Sequence, residues 1–88
     1  MLRITVECLD VPEDAGPAAA ADIEREFREH RTWWTRPYCV YRNGCISLTA
    51  MSDFDSDGRA LVDEFGDCLV AYMGAPGAVR VLAVELRP

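Results

Sequence analysis

The stretch Tyr38-Cys39-Val40-Tyr41-Arg42-Asn43-Gly44-Cys45-Ile46-Ser47-Leu48-Thr49-Ala50 decides the fold. Asn-Gly takes positive φ at both central positions of a tight turn at little cost, and the runs on either side are rich in strand formers, so the segment reads as an antiparallel hairpin. A two-residue turn pairs Arg42 with Cys45. Counting outward sets Cys39, Tyr41, Ile46, Leu48 and Ala50 on one face, and Tyr38, Val40, Cys45, Ser47 and Thr49 on the other. Cys39 and Cys45 then point to opposite faces, which argues against a bond between them.

On the N-terminal side of the hairpin, Ala18 to His30 is dominated by good helix formers. Ala20, Ile23 and Phe27 form one apolar stripe, and Glu24 and Arg28 stand at i,i+4 on the opposite side. Asp10 to Pro17 is full of breakers, with Pro17 acceptable in a first helical turn because its missing N–H has no partner there. Before it, Leu2 to Leu9 alternates, with Leu2, Ile4, Val6 and Cys8 on one face. On the C-terminal side, Ser52 to Gly58 leads into a second helical pattern carrying Leu61, Phe65, Cys68, Leu69 and Tyr72, stopped by Gly74 and Pro76. Val79 to Leu86 is nearly continuously apolar apart from Arg80 and Glu85, and reads as a strand buried on most of both faces.

The order is therefore βαββαβ. Two right-handed crossovers fold it into an α+β domain of the ferredoxin-like class, a four-stranded antiparallel sheet with two helices on one face. The term names an architecture and implies no iron–sulfur centre. All 88 residues, 1–88, are expected to form one domain with one core.

Half the residues are hydrophobic and 27% are charged, the balance of a globular protein. The formal net charge of −6 argues against nucleic acid, whose backbone is bound largely through Lys and Arg. All nine basic residues other than the histidine are Arg, with no Lys and no Gln, a bias that points to a GC-rich bacterial source. No apolar run of the ~18 residues needed to span a membrane is present, and the N-terminus has no export pattern, so a cytoplasmic protein without a membrane partner is expected. Cys8, Cys39, Cys45 and Cys68 lack the close spacing of zinc knuckles and read as small core residues.

Asp53-Phe54-Asp55-Ser56-Asp57-Gly58 followed by Glu64 resembles the calcium-binding loop of EF-hand proteins, D-x-[DN]-x-[DN]-G-x₅-E. Three alternating carboxylates with a closing glutamate would converge on one hard cation. The helix that should enter such a loop is missing, because alternating Ile46, Leu48 and Ala50 precede it. Ser52, Asp55 or Ser56 as the cap of the second helix is the favoured reading, and no metal or cofactor is expected.

His30, the one histidine, has no partner evident in the sequence, and no nucleophile and base are assembled, so catalysis is not expected. What remains is Trp33-Trp34 with Arg36 and Tyr38 beside them. Neighbours in an extended segment face opposite ways, so the core takes one tryptophan and leaves the other for contact. Trp33, Trp34, Arg36 and Tyr38 are accordingly the candidate partner-binding residues, of types enriched at binding hot spots. The function expected is that of a non-catalytic protein-binding module, acting as a homodimer or as the acidic partner of another protein, either an immunity- or antitoxin-like inhibitor or an accessory subunit. A calcium-binding regulatory domain using Asp53 to Glu64 is the alternative.

Overall fold

The computed structural model describes residues 1–74 and 78–86. It comprises β1 (Leu2–Leu9), α1 (Gly16–His30), β2 (Thr35–Arg42), β3 (Cys45–Ser52), α2 (Arg59–Met73) and β4 (Ala78–Leu86). The strands lie in the order β2-β3-β1-β4, and every adjacent pair is antiparallel. This is the ferredoxin-like α+β arrangement. Ile23 and Phe27 of α1, and Leu61, Phe65 and Leu69 of α2, join Ile4, Val6, Cys8, Ile46, Leu48 and Ala50 in a single core. Burial of each such large side chain is worth about 1.5–3 kcal/mol, which is what offsets the entropy of ordering so short a chain.

The hairpin has the register its turn dictates: Arg42 opposes Cys45, Tyr41 opposes Ile46 and Cys39 opposes Leu48. Asn43 and Gly44 both take positive φ, 52° and 80°, as a primed turn requires. The turn is also tied down from outside, since the Val11 N–H donates to the Gly44 carbonyl at 2.8 Å.

Helix α1 starts at Gly16, two residues before the helix-forming run. Gly16 is there because the Tyr41 ring lies against its α-carbon, where a Cβ would fall inside the ring. The Tyr41 hydroxyl donates to the Val11 carbonyl at 3.1 Å, so the ring has little freedom to retreat. Gly16→Ala is expected to cost about 1–3 kcal/mol through overpacking, despite the better helix propensity of alanine, and a thermal melt reads it.

Two expectations are corrected. Tyr72, placed on the buried stripe of the second helix, is exposed, because core contact along α2 ends with Leu69 and the partly buried Met73. Strand β4, read as buried on both faces, is an edge strand on which Val81, Leu82, Val84 and Leu86 are exposed. The Val81 methyls pack on the α-carbon of Gly58, where α2 begins. Gly74 ends α2 in the left-handed conformation with its N–H on the Val70 carbonyl at 2.9 Å, while the stop assigned to Pro76 lies outside the described residues.

The outer face of the sheet, away from the helices, carries polar pairs. The Thr5 and Thr49 hydroxyls are 3.1 Å apart. Glu7 is largely buried there and takes two contacts from the Arg80 guanidinium, at 2.7 and 2.5 Å, which tie β4 to β1.

Candidate functional site

Alternation predicts that one of the two tryptophans enters the core, and the structure shows which. Helix α1 ends at His30, and a turn closed by the Trp34 N–H on the Arg31 carbonyl, 3.1 Å, directs Trp34 inward. Trp34 is 3% exposed, with Phe27 and Phe54 rings at 6.5 and 4.9 Å. Among the described residues its indole Nε1 has no acceptor. Trp34 is a core residue and leaves the set of contact candidates.

Trp33 is 53% exposed but not loose. Its indole Nε1 donates to Glu64 Oε2 at 3.0 Å, and Glu64 Oε1 accepts from Arg31 at 3.0 Å. Arg31 also donates to Glu26 at 3.1 Å and lies over the Phe27 ring. One side chain of α2 thus orients a surface tryptophan of the α1–β2 connection.

The β3–α2 connection contributes a second aromatic. Ser52 Oγ accepts the N–H groups of Phe54 and Asp55, both at 3.0 Å, which fixes the backbone at the end of β3. The Asp55 carboxylate accepts the N–H groups of Gly58, Ala60 and Leu61 at 3.1, 3.3 and 3.0 Å, so it satisfies the otherwise unpaired donors at the start of α2. Asp55 is the cap. Asp57 accepts from the Arg59 N–H at 3.0 Å, and Glu64 is turned to Arg31 and Trp33. Asp53, Asp55, Asp57 and Glu64 therefore do not converge, and among the described residues no group of three or more His, Cys, Asp or Glu is arranged to hold a metal ion.

Phe54, held against Trp34 and 52% exposed, is a contact candidate that sequence reasoning missed. The available signal was a large apolar residue in an acidic loop that belonged to neither a helical nor a strand pattern. Register places both connections at one end of the domain, where Leu2 opposes Ser52 and Leu86, and Thr35 opposes Met51.

Arg36 and Tyr38 lie elsewhere on that end. Arg36 has φ 52° at an irregularity between Thr35 and Tyr38. With Arg3, Thr49 and Met51 the two line a shallow cleft on the outer sheet face, from which Tyr38 projects. The predicted set is divided accordingly: Trp34 in the core, Trp33 beside α2, and Arg36 with Tyr38 on the outer face.

Cys8, Cys39 and Cys68 are buried, and Cys45 is half-buried. Burial, reinforced by Glu24 and Cys68, pushes Cys39 up to about 12. Burial raises Cys68 to about 11 against the opposing charge of Arg31, and burial followed by Cys45 and Asp10 raises Cys8. The thiolate is the reactive species, so in the native protein a thiol reagent is expected to label the half-buried Cys45 first and the other three only on unfolding, as mass spectrometry will show. Stability is linked to the same shifts. The unfolded thiols release protons from near 9.0 while folded Cys39 and Cys68 hold theirs to about 12 and 11, so the unfolded chain binds fewer protons in that window. Stability is expected to fall as pH rises through it, measurable as a declining urea midpoint.

His30 sits exposed in the last turn of α1. Among the described residues no helix is long and apolar enough to cross a membrane. Neither a protein-family model, nor a curated protein, nor a solved structure matches this chain.

Proposed function

We propose that this chain is a non-catalytic protein-binding module that engages another protein as its acidic partner, through the end of the domain where Trp33 and Phe54 are exposed. The observation that carries this reading is that both aromatics are more than half exposed yet held in place. Glu64 and Arg31 orient one, and Trp34 and Ser52 orient the other. Aromatic anchors already fixed in one conformation lose little entropy on binding and are of the type that dominates interface energetics. A net charge of −6 supports steering toward a basic surface. An inhibitor of the immunity or antitoxin type, or an accessory subunit, fits these properties.

The test is affinity capture from an extract of the source organism with the intact chain and three variants. Trp33→Ala and Phe54→Ala are each expected to weaken capture by about 2 kcal/mol or more, roughly thirtyfold, with little change in melting temperature. Tyr38→Ala, on the outer sheet face, is expected to leave capture intact. A partner retained equally by all three variants contradicts the assignment.

A further inference from the structure

We propose that β4 pairs with β4 of a second copy of this chain across a two-fold axis, joining two four-stranded sheets edge to edge. The two edges of the sheet are treated differently. At the β2 edge, α1 packs alongside, Glu24 accepts the Cys39 N–H at 2.9 Å, and Pro37 and the irregularity before Tyr38 interrupt the strand. The β4 edge has no such covering among the described residues, contains no proline from Ala78 to Leu86, and exposes Val81, Leu82, Val84 and Leu86. An open apolar edge is a template for another strand.

The pattern along β4 specifies that strand as a copy of itself. Against β1, Arg80 opposes Glu7, Val81 opposes Val6, Ala83 opposes Thr5, Val84 opposes Ile4 and Glu85 opposes Arg3, with Leu82 as an extra, bulged residue. Arg80 and Glu85 are five apart and in a regular strand would point to opposite faces. The bulge brings both to the outer face, and by the same step it places Val81 and Val84, three apart, together on the helix side.

A two-fold axis between Leu82 and Ala83 then sets Arg80 opposite Glu85 of the second copy, Val81 opposite Val84, and Val79 opposite Leu86, each pair on one face. Without the bulge every one of these pairs would be mismatched. The main-chain groups agree as well. Arg42 and Cys45 form the hydrogen-bonded pair next to the turn, and alternation from there has Val6 and Ile4 bonding β3 while Glu7 and Arg3 bond β4. Arg80 and Glu85 are therefore engaged with β1, and the paired Val81 and Val84 both turn their N–H and C=O groups toward the open edge.

Across the outer face the joined sheet reads Glu7, Arg80, then Glu85 and Arg3 of the second copy, an alternation of sign that extends the Glu7–Arg80 and Arg3–Glu85 pairs of each chain and occurs twice by symmetry. On the helix side, paired Val81 and Val84 cover apolar surface that α2 leaves open. None of this uses Trp33 or Phe54, so the dimer presents two copies of the aromatic end.

Sedimentation velocity of the intact chain over a range of concentrations tests the proposal. The wild type is expected to approach twice its 9.8 kDa mass. Arg80→Glu and Glu85→Arg each set like charges against each other twice and are expected to weaken the dimer roughly tenfold or more. An equimolar mixture of the two variants restores opposite charges in both pairs and is expected to form a heterodimer as stable as the wild-type dimer. A wild type that stays monomeric to about 1 mM, a dimer unaffected by either variant, or a mixture of folded variants that fails to associate overturns the proposal.

Because each variant also removes an ion pair within the chain, amide hydrogen exchange on the wild type supplies a check that needs no substitution. Protection of β4 amides that is lost on dilution is expected. Dilution-sensitive protection at β2 in place of β4 overturns the pairing.

Discussion

Trp34→Ala is expected to destabilise the protein by about 3–5 kcal/mol, the range for deleting a large buried aromatic, while Trp33→Ala costs less than about 1 kcal/mol. The contrast follows from where one turn sends two adjacent, chemically identical side chains. Trp34 fills the space between Phe27 and Phe54, and its loss removes an aromatic contact from both rings. Trp33 loses only a hydrogen bond to Glu64 at the surface. The indole N–H of Trp34, which has no acceptor among the described residues, sharpens the prediction. Trp34→Phe removes an unsatisfied donor along with part of the ring, so its cost is expected to be a small fraction of that of Trp34→Ala. Urea unfolding of the three variants measures all of this in one series.

Asp55→Ala is expected to cost about 2–4 kcal/mol, at or above the upper end for the loss of a helix cap. The carboxylate is buried and accepts three main-chain N–H groups, and two of them, from Ala60 and Leu61, belong to the first turn of α2. Alanine leaves those donors buried without partners. Asp55→Asn keeps one carbonyl oxygen and is expected to fall between wild type and Asp55→Ala. Because Asp55 is engaged with the helix and Glu64 with Arg31 and Trp33, saturating calcium is expected to leave the melting temperature unchanged, whereas a cation bound only by the native state would raise it.

These two sites show how far residues alone carry the structure. The hairpin faces were legible because a period of two, anchored by Asn43-Gly44, permits only one assignment of Cys39, Tyr41, Ile46 and Leu48. The cap was legible only as one of Ser52, Asp55 and Ser56, all of which precede the helical pattern closely enough to reach its first turn; the fold of the loop selects Asp55. Alternation could say that one tryptophan enters the core. It could not say which, since the choice depends on rings contributed by α1 and by the loop after β3.

Strand β4 was misread for a different reason. A continuous apolar run is equally the signature of a strand covered on both sides and of an edge strand whose apolar flank is left open. The bulge at Leu82 was hidden because Val81, Leu82 and Ala83 are all apolar, so the extra residue breaks no visible pattern. Arg80 and Glu85 were the markers present, and their meaning depends on Glu7 and Arg3 in a strand far away in sequence. Phe54 escaped because exposure of a loop aromatic is decided by the loop's hydrogen bonds to Ser52.

The central claim, that the domain works by offering Trp33 and Phe54 to another protein, is tested most directly by following the two indole N–H resonances and the Phe54 amide by NMR while the captured partner is titrated in. Large shifts or broadening are expected for the Trp33 indole and for Phe54, with the buried Trp34 indole changing least. A partner that binds while Trp33 and Phe54 stay unperturbed, or failure to capture any stoichiometric partner, would contradict it.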